Sequence, residues 1–133
     1  MPLEATQHTP EGAKAFAEFF IKTIDWGYAT TSSAYMRHYF TKSCLECSNA
    51  ASALDRAARL HRHFVGDRFS IKSASPARRS STIRVTFDVS SGEVVDRHDH
   101  FLSGDTSHPG YREDIAVSWA GQSWMVRKMV PHP

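Results

Sequence analysis

Hydrophobic residues along the chain change period at Gly66. Before it they recur at helical spacing, and beyond it they alternate, so helices precede strands. Thr9-Pro10-Glu11 reads as a helix start, with Thr9 as N-cap, Pro10 at the first helical position and Glu11 well placed against the helix dipole. Ala13, Phe16, Ala17, Phe20, Ile24 and Tyr28 then share one face of a helix over Ala13–Tyr28. Phe19, Ile21 and Trp26 lie off that stripe, which predicts cover on more than one side. Thr30-Thr31-Ser32-Ser33 interrupts the pattern, and Ala34–Phe40 reads as a short second helix. A third is expected over Ser48–Val65, with Ala51, Leu54, Ala58, His61 and Val65 inward and Gly66-Asp67 as its stop.

Strands are expected at Arg68–Ala74, Thr82–Val89, Val94–Leu102, Arg112–Trp119 and Ser123–Val130. Ile83, Val85, Phe87 and Val89 share one face, as do Ile115, Val117 and Trp119. Ser90-Ser91-Gly92, a long stretch containing Gly104, Asp105, Pro109 and Gly110, and Ala120-Gly121-Gln122 supply the turns. Three helices followed by an antiparallel meander make an α+β domain. Residues 1–8 are expected to be extended or disordered, 9–66 helical and 67–133 sheet. The 133 residues suit one domain, large enough to bury roughly two thirds of its unfolded surface.

With 41% hydrophobic and 23% charged residues, neither disorder nor a fibrous architecture is indicated. The 16 Lys+Arg and 14 Asp+Glu are scattered, with basic residues adjacent in no more than pairs such as Arg78-Arg79, so nucleic acid is not an expected partner. Eight histidines would add positive charge near pH 6. No apolar run approaches the ~18 residues of a spanning helix, and Met1–Thr9 lacks the apolar core of a signal peptide. Membrane association is expected only through a lipid anchor upstream of this segment.

Long helices laid across a curved antiparallel sheet resemble the cone of the nuclear transport factor 2-like superfold. The motifs Thr9-Pro10-Glu11-Gly12-Ala13 with Ala15-Phe16, Tyr28-Ala29-Thr30-Thr31 and Cys44-Leu45-Glu46-Cys47 resemble an actinobacterial family of cell-surface lipoproteins of unknown function. The likeness extends by strand order to the Gly121-Gln122-Ser123-Trp124-Met125-Val126 ending. The resemblance implies an exported domain and brings no catalytic residue with it.

Cys44 and Cys47 are the only cysteines, and they invite three readings. Thioredoxin-type redox chemistry needs a preceding strand in an alternating βα pattern, which is missing. A zinc site would recruit His61, with thirteen residues between it and Cys47, and His63. The first spacings match a Cys2His2 finger, but the last does not, because residues two apart lie on nearly opposite helix faces. A local disulfide needs an oxidising compartment, and the lipoprotein resemblance favours it.

Asp96-Arg97-His98-Asp99-His100 is the second cluster. On a continuous strand Asp96, His98 and His100 would share a face, as weak metal-ligand candidates, against the plain reading of a solvated sheet face. Enzymes of the superfold, such as ketosteroid isomerases and scytalone dehydratases, carry acid-base residues inside the cone. By that resemblance Asp99, His98, Tyr28 and Tyr39 are the catalytic candidates, and Phe87, Trp119 and Trp124 line or fill the pocket. The expectation is a non-enzymatic, extracytoplasmic domain that binds a small molecule or an envelope protein and uses no cofactor. A homodimer through the open sheet face is expected by analogy. The alternatives are a cofactor-free isomerase or hydrolyase using Asp99 or His98, and a zinc-bound interaction module.

Overall fold

The computed structural model describes residues 1–66, 68–77 and 81–132. Asp67 of the expected Gly66-Asp67 stop and the Arg78-Arg79 pair lie outside the described residues. The architecture is α+β, with two α-helices and two antiparallel sheets. Helix α1 (Pro10–Thr30) starts as its sequence predicts: Thr9 accepts a hydrogen bond from the Gly12 backbone N–H at 2.9 Å and Pro10 occupies the first helical position. Phe16, Ala17, Phe20 and Ile21 are almost fully buried in the central core. Gly27 lets the second helix come close, since a Cβ there would stand 2.8 Å from Leu54 Cδ1.

Helix α2 (Leu45–Arg59) is shorter than expected. His61 adopts a left-handed φ of 55°, with its N–H bonded to Ala58 O and the Arg62 N–H to Ala57 O. That is a Schellman stop with histidine where glycine is usual, so the chain leaves the helix five residues before Gly66. His63–Gly66 is a strand, β1, in which Val65 is exposed, not inward-facing as the helical stripe predicts.

The expected second helix is a single 3-10 turn, Met36–Tyr39. So short a segment cannot recover the cost of nucleating an α-helix. Its shape is set by packing: Tyr35 and Tyr39 meet Phe19 edge-on, and Phe40 bridges to Val126. The N-terminus also departs from expectation. Leu3–Thr6 forms a 3-10 turn, Ala5 is buried, and Trp124 Nε1 donates to Gln7 O at 2.8 Å.

Among the described residues, seven strands stand where five are expected. Strands β2 (Phe69–Pro76), β3 (Thr82–Val89), β6 (His108–Ala120) and β7 (Ser123–Pro131) form a four-stranded sheet in the order β2-β3-β6-β7. Strands β1, β4 (Gly92–Val95) and β5 (Phe101–Asp105) form a separate sheet in the order β1-β4-β5. The expected strand Val94–Leu102 is therefore two strands joined by a hairpin turn. Asp96 makes the turn: its Oδ1 accepts the backbone N–H groups of His98 and His100 at 2.8 and 3.0 Å, and Asp99 takes a left-handed φ of 62°. A residue whose side chain binds its own backbone in this way breaks the alternation that placed Asp96, His98 and His100 on one strand face.

Candidate functional site

Between α1, α2 and the four-stranded sheet lies a cavity of about 390 Å³. One wall is a chain of rings in contact. Phe64 meets Tyr28 at 4.8 Å between centroids, Tyr28 meets Phe69 at 5.9 Å, Phe69 meets Phe87 at 5.2 Å, and Phe87 meets Tyr111 at 5.3 Å. The last contact follows from register, because Phe87 and Tyr111 are direct partners across β3 and β6. Phe69 is held at the start of β2 by Asp25 of α1. Its carboxylate accepts the Phe69 N–H at 3.0 Å and both Nε and Nη2 of Arg68, at 3.0 and 2.8 Å. Beside Tyr111 the β3–β6 pairing shifts register, and Gly110, at φ 66°, donates its N–H to Asp88 Oδ1 at 2.8 Å. This bulge bends the start of β6 beside the exposed Asp105, Thr106 and His108, which also line the cavity.

The chemistry sits on two carboxyl groups. Glu113 projects from β6 on the same side as Ile115 and Val117 and is only 3% exposed. Tyr111 Oη donates to Glu113 Oε1 at 3.2 Å, while Oε2 is buried, receives no hydrogen bond and is left to carry the carboxyl proton. Glu46 reaches the same cavity from the first turn of α2. Burial, followed by repulsion from the Glu46 carboxyl, pushes Glu113 up to about 8. Glu46 is raised as well, by burial, with the hydrogen bond from Glu113 working against the rise. Tyr111 is pushed up to about 12 by burial and the charge of Glu113. These directions describe one proton held between two carboxyl groups, with Glu113 as its donor and Glu46 as acceptor.

Cys44 and Cys47 fix the element that carries Glu46. They form a disulfide, both are fully buried, and Cys44 Sγ accepts the Cys47 N–H at 3.3 Å as the N-cap of α2. Cys47 Sγ also lies 3.8 Å from Met129 Sδ of β7, another residue lining the cavity. With both sulfurs bonded to each other, neither is a thiolate for zinc or a free redox nucleophile. His61 and His63 lie beyond the end of α2 and are exposed.

The sequence-derived candidates are dispersed. Tyr28 and Phe87 line the cavity. Tyr39 belongs to a separate aromatic cluster with Phe16, Phe19 and Tyr35, where burial raises it above the usual tyrosine range. Trp119 and Trp124 are cross-strand partners at the far end of β6 and β7. His8 stacks on Trp119 at 4.5 Å, so the two indoles pin the N-terminal segment and do not line this cavity. His98, Asp99 and His100 are exposed at the β4–β5 turn, outside the cavity. Asp96 and His100 lie 3.5 Å apart there, and among the described residues no group of three or more His, Cys, Asp or Glu side chains converges as a metal site.

Glu46, Tyr111 and Glu113 were not singled out by sequence reasoning. Glu113 shares the parity of Ile115 and Val117, so a carboxylate on an inward strand face was the available signal. Glu46 lay between the two cysteines.

A family of unknown function, DUF6318, matches residues 1–130. No curated protein matches the sequence. Two solved structures share the fold at 11% identity. The intermembrane space region of the chloroplast protein ARC6 superposes with a TM-score of 0.56 over 89% of this chain and 95% of its own. Aln2 from a Streptomyces species does so with a TM-score of 0.51 over 92% and 90%.

Proposed function

The chain belongs to DUF6318, a family of unknown function, so we propose a function from the cavity itself: a non-enzymatic, extracytoplasmic domain that binds a small molecule inside a nuclear transport factor 2-like cone. The observation that carries this reading is the Glu113 carboxyl, 3% exposed, with one oxygen that receives no hydrogen bond in an aromatic-walled cavity. A buried carboxyl oxygen that receives no hydrogen bond offers a place for a ligand's donor. The cavity falls within the size range of small-molecule sites and shares their apolar walls with few polar groups. The exported setting, and with it the actinobacterial cell-surface reading, draws support from the buried disulfide.

A fragment screen by ligand-observed NMR tests the binding reading. Hits should be lost in Ala50→Phe, which fills the cavity from α2. Hits that all survive this substitution would place binding elsewhere and overturn the assignment. Thiol counting on denatured, unreduced protein from an oxidising compartment tests the setting; two free thiols would remove its basis.

A second reading is favoured by one observation. A carboxyl pushed up to about 8 is suited to general acid-base work near neutral pH. In a cofactor-free isomerase or hydrolyase the role would fall to Glu113, with Tyr111 as a hydrogen-bond donor, and not to Asp99 or His98, which lie outside the cavity. Deuterium exchange from solvent into an enolisable ketone, lost in Glu113→Gln, would support this reading; exchange unaffected by the substitution would exclude it.

A further inference from the structure

We propose that the cavity receives a small organic monocation, an amine or quaternary ammonium with an apolar body, seated with its charge at Glu46 and Glu113 and its body against the ring wall. The inference rests on the ligand-binding reading and adds the charge class of the ligand. Three features of the lining point the same way. It carries three carboxylic acid side chains, Glu46, Asp105 and Glu113, and among the described residues no Lys or Arg. Its long wall presents Tyr28, Phe69, Phe87 and Tyr111 in continuous contact, and aromatic faces attract cations. Its buried Glu113 Oε2 receives no hydrogen bond, so it is open to a ligand's donor or charge once the carboxyl gives up its proton. An anion would add a further negative charge beside the two carboxyl groups. A neutral alcohol could satisfy one oxygen and pack on the rings but would gain neither a charge-assisted contact nor a cation–π contact. A cation gains both, through charge-assisted contacts to the carboxylates and cation–π contacts to the wall.

Seating a cation changes the proton balance. By itself the pair holds one proton between Glu113 and Glu46; when the cation sits beside Glu113, that proton leaves to solvent and the charge pair replaces it. No covalent bond forms or breaks except the carboxyl O–H. The groups around the pair are Tyr111 and Asp114 on β6, Tyr28 on α1, and the exposed Asp105 and His108. On the outer side Glu46 also borders a shallow groove with Arg127 and Lys128 of β7.

Titration calorimetry with benzyltrimethylammonium tests the proposal, because this probe has a fixed charge and only the protein titrates. Affinity should rise by about tenfold per pH unit from pH 6 towards 8 and level off above, with about one proton released per cation. Glu113→Gln and, independently, Glu46→Gln should weaken binding by at least about tenfold at pH 8 and flatten the profile, circular dichroism confirming that each variant is folded. Benzyl alcohol and phenylacetate are the neutral and anionic comparisons. Binding of benzyl alcohol or phenylacetate as tight as that of the cation overturns the charge class and leaves the ligand-binding reading standing. No binding by any of the three overturns this proposal, while the fragment screen decides the broader reading separately.

Discussion

Glu113 and Asp96 are both carboxyl groups beside other titratable side chains, and they differ in what their oxygens meet. Asp96 turns the chain near the surface, where the backbone N–H groups of His100 and His98 solvate its carboxylate and hold it below the usual range. Glu113 lies inside, with one tyrosine donor, one oxygen that receives no hydrogen bond and a second carboxyl beside it, and is raised. The histidine-rich turn carries more of the residue types associated with acid-base chemistry, yet its polar groups are satisfied locally. The difference teaches that donor supply, more than residue identity, separates a structural carboxylate from one left available for a ligand.

The sharpest way to break the comparison is to remove the charge of Glu113 without changing its shape. Its folded value of about 8 lies above the unfolded value near 4.5, so the folded state binds the extra proton. The stability this supplies is fully present below about 4.5 and is lost as pH rises through about 8. Unfolding free energy should therefore fall across that window by on the order of a few kcal/mol, and Glu113→Gln should abolish the fall. Above pH 8 the variant should be the more stable protein. Asp96, Asp114 and Asp88 are shifted the other way and act only in the more acidic range, so they do not mask the effect. Urea unfolding of both proteins between pH 5 and 9 measures it; a wild-type curve that is flat or rises would show that the pair does not share a proton.

Next in size is the disulfide that holds Glu46 against Glu113. Replacing it by Cys44→Ser with Cys47→Ala keeps an N-cap acceptor for α2 and should cost about 2 kcal/mol by loop-entropy reasoning for so short a ring. The same change should reduce the pH slope of stability, because Glu46 is freed to turn towards solvent. Loss of stability with an unaltered slope would show that the disulfide supports α2 without placing the carboxyl.

How much of this was legible in the sequence varies with the range of the interactions involved. Local signals held: Thr9 and Pro10 start α1, and the alternation of Ile83, Val85 and Phe87 is that of β3. Signals that depend on partners did not. His61 in a left-handed stop ends α2 early, and only the pairing of His63–Gly66 with β4 shows why those residues leave the helix. Asp96 reads as one position of an alternating strand until its side chain is seen to bind the backbone of its own turn. The ring wall needs residues from α1, β1, β2, β3 and β6, which no spacing rule brings together. Glu113 was the exception, since its parity with Ile115 and Val117 was visible and a buried carboxylate is uncommon enough to demand a reason.

The cap of α1 offers a smaller and purely local test. Thr9→Ala removes the acceptor for the Gly12 N–H and should cost about 1 kcal/mol, without touching the pH slope or cation binding. Denaturant midpoints at pH 5 and pH 8 should move together. A loss confined to one pH would mean that the start of α1 is coupled to the carboxyl pair.

The smallest effect is expected at the β4–β5 turn, and it sharpens the comparison from the other side. His98→Ala with Asp99→Asn removes both exposed candidates while leaving Asp96, whose carboxylate shapes the turn, in place. Asn tolerates the left-handed conformation that Asp99 adopts, so the backbone need not change. Thermal unfolding should shift by less than about 3 °C. Affinity for benzyltrimethylammonium should be unchanged, because neither side chain lines the cavity. A marked loss of affinity in this variant would transfer the site from the buried carboxyl pair to the turn.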